Sequence, residues 1–272
     1  MKIVTSLTYL ALSLAVFVSI PASATPWPGM PGQAEFNVSY ESTQYDDLLS
    51  KDGPVEKGWG VTSQAVFFGL SHDLAETVRL SVVTGYGQSS STKPGGKTEG
   101  LLDTDLKVAL NLIDPYETSG FGFGIRMGYR IPGTYKIAKV PHGIGKRVQA
   151  ASAELLAGYS IASVTLESAI GYRFSASPAP HDIFGYSSIA WNPIQAASVE
   201  LHYTYQFGQS GGDLGPDVLD LVTLKEDDQT LHALVGYQLW DNFGLGLRFA
   251  KAISGRNAPD ATRFGFALNY RL

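Results

Sequence analysis

Cysteine is absent from the chain, which excludes a disulfide framework, a thiolate metal site and a cysteine nucleophile. Charge is sparse, at 17% of residues, and a net balance of −5 argues against nucleic acid as a partner. Past Ile20 there is no second long apolar run, so a bundle of membrane-spanning helices is excluded. No H-E-x-x-H helix occurs and no nucleophile elbow is read, so no catalytic residue is assigned and no cofactor is called for. What the chain has instead is 30 glycines and 11% aromatic residues, a balance that favours strands and tight turns over helices.

The opening residues combine a basic Lys2, an apolar run to Ile20 and small residues at Ala22 and Ala24, the pattern of a secretory signal peptide over 1–24. Residues 25–32, T-P-W-P-G-M-P-G, are too rich in Pro and Gly for helix or strand and read as an extended leader. The rest, 33–272, is expected to form one domain. An exported chain without disulfides needs another source of rigidity, and a closed barrel supplies it by leaving no edge strand.

The last residues set the pattern for that domain. Thr262, Phe264, Phe266, Leu268, Tyr270 and Leu272 fall on one face of an extended strand, and Arg263, Gly265, Ala267, Asn269 and Arg271 on the other. A helical period would scatter the same rings around an axis. The alternation recurs at 33–42, 61–70, 77–87, 101–112, 120–130, 148–159, 163–174, 181–191, 197–207, 229–240 and 243–253. That makes about twelve strands of roughly ten residues, the length a tilted strand needs to cross a bilayer.

Connections sort by parity: 43–59, 88–100, 131–147 and 209–228 are long or polar, whereas 71–76, 160–162, 192–196 and 241–242 are tight. Outer-membrane barrels show this asymmetry, with short periplasmic turns and longer external loops. The fold class expected is therefore all-β, a transmembrane antiparallel up-and-down barrel. Mean hydropathy is only +0.01, as befits a chain in which alternate residues alone meet lipid. Tyr86, Tyr129, Tyr172, Trp191 and Tyr270 stand near strand ends and suit interfacial girdles, or equally cross-strand packing.

With lipid outside, the polar faces point inward. Asp103, Asp105, Lys107, Arg126, Arg130, Glu154, Glu167, Arg173, Glu200, His202, His232, Arg248 and Arg263 then become lumen and selectivity candidates. Two readings stand for them: an ion-pair network that fills the lumen, or charges that set the selectivity of a narrow pore. A barrel of about eight strands is filled by side chains and one of about 16 to 18 holds a channel, so twelve implies a narrow conduit, an occupied cavity or a plugged barrel. Phe67 and Phe68 cannot both face lipid, and Phe184 and Tyr186 oppose Ile183, Ile189 and Trp191. Phe67, Phe184 and Tyr186 are therefore candidates for contact with an aromatic or apolar solute, or for packing against an inward segment. Trp27 and Met30 of the leader are candidates for a plug.

Rival functions remain. His202 and His232 lie on polar faces of neighbouring strands, with Glu200 two positions from His202. Such a cluster is able to hold a divalent metal. Ordinary lumen hydrogen bonding is the reading adopted, and no metal site is assigned. An outer-membrane hydrolase would need a serine or aspartate activated by histidine, and a structural or adhesive barrel would use its long loops.

The stretches L-L-D-T-D-L-K-V-A-L (101–110), G-F-G-I-R-M-G-Y-R-I-P-G-T-Y (122–135), A-E-L-L-A-G-Y-S (153–160) and T-L-E-S-A-I-G-Y-R-F (165–174) carry a resemblance. Over about residues 100–210 the chain resembles the outer-membrane family associated with the meta-pathway of phenol degradation. Ile131-Pro132-Gly133 departs from that family's apolar-Pro-Thr-Gly form. The resemblance implies an outer-membrane barrel of a Gram-negative bacterium that helps hydrophobic or aromatic solutes enter by passive passage. Its implied partners are the lipid bilayer and lipopolysaccharide, the barrel-assembly machinery through the C-terminal strand, and a small solute.

Overall fold

The computed structural model describes Trp27 and residues 29–50, 53–56, 58–92, 97–113, 120–135, 145–213 and 223–272. The expected signal peptide, most of the leader's start and His142 lie outside these residues. The first strands are β1 (Ala34–Tyr45), β2 (Leu48–Ser50), β3 (Gly53–Glu56), β4 (Val61–Ala75), β5 (Val78–Ser91) and β6 (Lys97–Leu101). Next come β7 (Thr104–Ile113), β8 (Phe121–Ile131), β9 (Ala150–Ile161), β10 (Val164–Ser175) and β11 (Asp182–Ile194). The chain closes with β12 (Ala197–Gly208), β13 (Asp227–Trp240), β14 (Phe243–Arg256), β15 (Ala258–Pro259) and β16 (Thr262–Arg271).

One antiparallel sheet runs in the order β4-β1-β16-β14-β13-β12-β11-β10-β9-β8-β7-β5-β6, and a β4–β5 pairing closes it on itself. Of its 13 strands β6 pairs only with β5 at the loop end, so 13 less one leaves a closed barrel of twelve. The expected fold class is borne out. Seam pairing between the first and last strands, Glu35 with Arg271 through Gln44 with Thr262, puts both ends of the sheet beside the two-residue turns 76–77, 162–163, 195–196 and 241–242.

Several strands outrun their expected bounds on the other side. Ser89, Ser90 and Ser91 keep pairing with Ser63, Thr62 and Val61, so the hairpin continues past the point where hydrophobic alternation stops. Beyond the apolar layer both faces of a strand meet water, and no two-sided pattern marks its end. β2 and β3, out of the long stretch 43–59 expected as loop, add a small separate sheet there with β15, out of the last loop, 254–260.

The outward side chains Leu166, Ile170, Ile189, Leu201, Val235 and Phe249 are between 44% and 53% exposed, and they belong to a belt around the whole barrel. An apolar surface of that extent has no place in water and fits hydrocarbon. Tyr86, Tyr129 and Phe174 border it at one end, and Tyr159, Trp191, Trp240 and Tyr270 at the other. A charge in mid-belt should therefore be costly: Ile170→Arg is expected to lose about 2–4 kcal/mol. Urea unfolding in lipid vesicles reads this out, and a loss under about 1 kcal/mol would contradict a lipid-facing Ile170.

Candidate functional site

Register places the charged faces inside. Arg126 pairs with Glu154 across β8–β9, Glu154 with Gly171 across β9–β10, and Gly171 with Phe184 across β10–β11, so all four positions share the lumen side. The same reasoning puts Asp105, Lys107, Arg130, Glu167, Arg173 and Tyr186 there. On the facing half, Glu200, His202, His232, Arg248 and Arg263 also point inward.

One wall carries paired charges stacked along the strands. Arg130 donates from Nε and Nη2 to the two oxygens of Asp105 at 2.7 and 2.8 Å. Arg126 grips Glu154 in the same two-pronged way, with Nε 3.0 Å from Oε1. Lys107 lies 3.6 Å from that carboxylate, whose side chain is 1% exposed. Arg173 sits 3.4 Å from Asp182 and lays its guanidinium 4.6 Å above the Phe184 ring. Four cations thus meet three carboxylates, and Lys107 is the one left with a long, shared contact. Lys107, Arg126, Glu154, Arg173, Phe184 and Tyr186 line a cavity of about 270 Å³.

The facing wall is a hydrogen-bonded relay. Arg248 donates from Nε to His232 Nδ1 at 2.9 Å, so that nitrogen is an acceptor and the ring proton belongs to Nε2, 3.0 Å from Thr204 Oγ1. Arg248 also reaches Glu41 at 3.3 Å. His202 stands edge-on to His232 and stacks on Tyr186, with ring centroids 5.5 and 4.9 Å apart, while its Nδ1 is 3.1 Å from Glu200. Both His232 nitrogens are thus engaged by protein, and among the described residues no group of three ligating side chains could hold a metal. Arg263 bonds Thr230 at 3.1 Å and approaches Asp228 at 3.5 Å.

Two expectations need correction. Asp103 lies between paired strands rather than within one, because the strand expected over 101–112 breaks at Leu102-Asp103 into β6 and β7. Its Oδ1 instead accepts from the Gly133 amide at 2.9 Å and from the Tyr135 hydroxyl at 3.0 Å, holding the loop after β8. Burial, with Asp103 beside it, raises the Tyr135 phenol above its ordinary pKa and keeps it a donor. The same hydroxyl accepts from the Arg147 amide, so Tyr135→Phe should cost about 1–3 kcal/mol locally and speed hydrogen exchange at Gly133 and Arg147; unchanged exchange would refute that anchor. The second correction concerns the letters G-x-S-x-G, which do occur at Gly208–Gly212. They follow β12, and Gly212 bridges to Leu224 rather than opening a helix at that point.

The aromatic candidates divide. Phe67 pairs with Ser39 and faces in, while Phe68 faces out at 44% exposure. Phe184 and Tyr186 line the cavity, whereas Phe67 stands on β4 against Gly85, outside its lining. Trp27 is 2% exposed inside the barrel, against Leu156, Ala169 and Tyr186; Met30, at 71%, is no plug. Asp73, Glu41, Asp182 and Asp228 were not singled out from sequence. Asp73 is 1% exposed and takes Arg79 Nε at 2.6 Å and the Gly29 amide at 2.8 Å, which fastens the leader to the barrel. The closeness of Asp73 and Arg79 across a tight turn was the available signal.

A closed twelve-stranded barrel with an oily exterior and a charged, aromatic-lined interior has the architecture of outer-membrane barrels, and known structures bear this out at the level of fold. The chain is similar to the COG4313 outer membrane channel from Pseudomonas putida F1, at 12% identity over 93% of this chain and 100% of that one, TM-score 0.76. It is similar to the translocator domain of the autotransporter NalP from Neisseria meningitidis, at 7% identity over 98% and 96%, TM-score 0.52. A KdgM porin in complex with disordered oligogalacturonate follows at 11% identity over 86% and 98%, TM-score 0.50. No protein-family model matches the chain, and no curated protein matches it.

Proposed function

We propose that the chain is an outer-membrane barrel through which small hydrophobic or aromatic solutes pass down their gradient. The carrying observation is the cavity inside the closed barrel, where Phe184 and Tyr186 stand beside Lys107, Arg126 and Arg173. Rings supply a surface for an apolar body, and the cations favour a polar or anionic substituent on it. In this reading Asp105, Lys107, Arg126, Arg130, Glu154, Glu167 and Arg173 on one wall, with Glu200, His202, His232, Arg248 and Arg263 on the other, set which solutes enter. Asp103 acts on the path through the loop it holds and through its charge near Arg130, and Phe67 offers a ring on a separate stretch of wall.

The fold likeness to an outer membrane channel supports this reading, as does the resemblance to the phenol meta-pathway family. Residues 1–24 would direct export, and the C-terminal strand would be what the barrel-assembly machinery receives. The bilayer then includes lipopolysaccharide in its outer leaflet, as in Gram-negative bacteria.

Proteoliposomes loaded with a fluorescent indicator give the test. Benzoate and phenol should enter faster than into protein-free vesicles, and a disaccharide should not. Equal entry with and without protein for every solute would discard the proposal.

A further inference from the structure

Trp27 occupies a slot built for a flat ring. A Cβ at Gly158 would lie 2.7 Å from the indole Cζ2, and one at Gly124 would lie 3.3 Å from Cζ3. Both glycines are on the lumen side, and the missing side chains are what admit the ring. Leu156 and Ala169, 1% and 2% exposed, close its flanks, and Tyr186 packs against the group. The slot therefore adjoins the cation-lined cavity through a shared residue, Tyr186.

The slot also has chemistry. Trp27 hydrogen-bonds Glu167, and indole has only its N–H to give. The other carboxylate oxygen, Oε1, is buried without a hydrogen-bond partner among the described residues. A buried oxygen left open this way is costly to leave unmet and favours a donor-bearing ligand.

The leader is fixed at Gly29 and Gly32, both bonded to Asp73 at 2.8 Å. Trp27 is two residues from Gly29, a reach of about 7 Å. The indole is thus able to leave its slot while the anchor holds.

From this we infer that the slot is a solute subsite: it takes a planar ring carrying an N–H or O–H donor, and Trp27 fills it as a tethered competitor that solute displaces. The inference rests on the passive-uptake reading. A short tether sets an effective concentration on the order of millimolar, so free indole competes in that range.

The test uses the full mature protein and indole as probe. In planar bilayers, Trp27→Ala should raise single-channel conductance at least two-fold, and millimolar indole should restore the lower level. Toluene, which has the ring but no donor, should restore it less; Trp27→Ala with Glu167→Leu should lose that preference. Gly158→Ala keeps the tryptophan but fills its cradle, and should raise conductance as Trp27→Ala does, which covers the case where the first variant misfolds. Where wild type conducts, conductance equal to it in both variants, or equal action of indole and toluene, overturns the inference. Equilibrium dialysis at indole concentrations below the millimolar range separates the two proposals: Trp27→Ala should retain about one indole per barrel where wild type retains none, and no retention by the variant overturns the subsite. Retention without conductance in any variant leaves the subsite and removes passive uptake.

Discussion

Glu154→Leu is expected to lower the barrel's unfolding free energy by about 3–5 kcal/mol, the cost of breaking a buried ion pair by taking one partner away. The carboxylate is 1% exposed and holds Arg126 through two N–H groups, with Lys107 at 3.6 Å. Once it is gone, Arg126 and Lys107 repel each other without the carboxylate both had shared. Arg126, whose side chain is 16% exposed, carries most of the penalty, since Lys107 at 32% retains contact with water. Glu154→Leu combined with Arg126→Leu should recover much of the loss, because the uncompensated charge leaves with its partner. Urea unfolding in vesicles, followed by tryptophan emission, measures both. A single variant within about 1 kcal/mol of wild type would show that water already neutralises this wall.

The second large effect is expected at Asp73. Its side chain takes Arg79 Nε at 2.6 Å and Nη2 at 3.0 Å, and the Gly29 amide at 2.8 Å. Asp73→Ala should cost about 3–5 kcal/mol on the same grounds, since Arg79 is only 13% exposed and loses a close, two-pronged carboxylate partner. It should also loosen the leader. The backbone of Asp73 still bonds Gly32 and Gln33, so the release begins upstream of Gly32. Limited proteolysis should then cut near Met30 in the variant and spare wild type. Equal resistance in the two proteins would mean that Trp27 and the backbone bonds of Asp73 hold the leader without the carboxylate.

Much of the barrel could be read from residues taken one at a time, because each strand sorts lipid from lumen by parity. Leu166 and Glu167 show the principle: neighbours in sequence, they point to opposite sides of the wall. What sequence alone missed has physical causes. Phe67 and Phe68 are equally apolar, and only the pairing of Ser39 with Phe67 decides which enters the lumen. Asp103 continues the alternation of 104–112 by letter, although its backbone has left the strand to serve a loop. Asp73 lies in what reads as a turn, because β4 keeps its hydrogen bonds to Ala75 after the apolar stripe has ended. The Trp27 slot depends on Gly124 and Gly158, which look like any other barrel glycine until an indole is seen against them.

The absence of cysteine makes the central claim, a wall with hydrocarbon on one side and a watery interior on the other, open to a direct measurement. Single cysteines placed in turn at positions 186 to 191 of β11, in protein reconstituted into vesicles, would be offered a membrane-impermeant and a lipid-soluble thiol reagent. Tyr186, Ser188 and Ala190 should react with the first, and Ser187, Ile189 and Trp191 with the second. Labelling that ignores parity, or uniform reaction with the water-soluble reagent, would contradict the barrel's placement in a bilayer and the solute path with it.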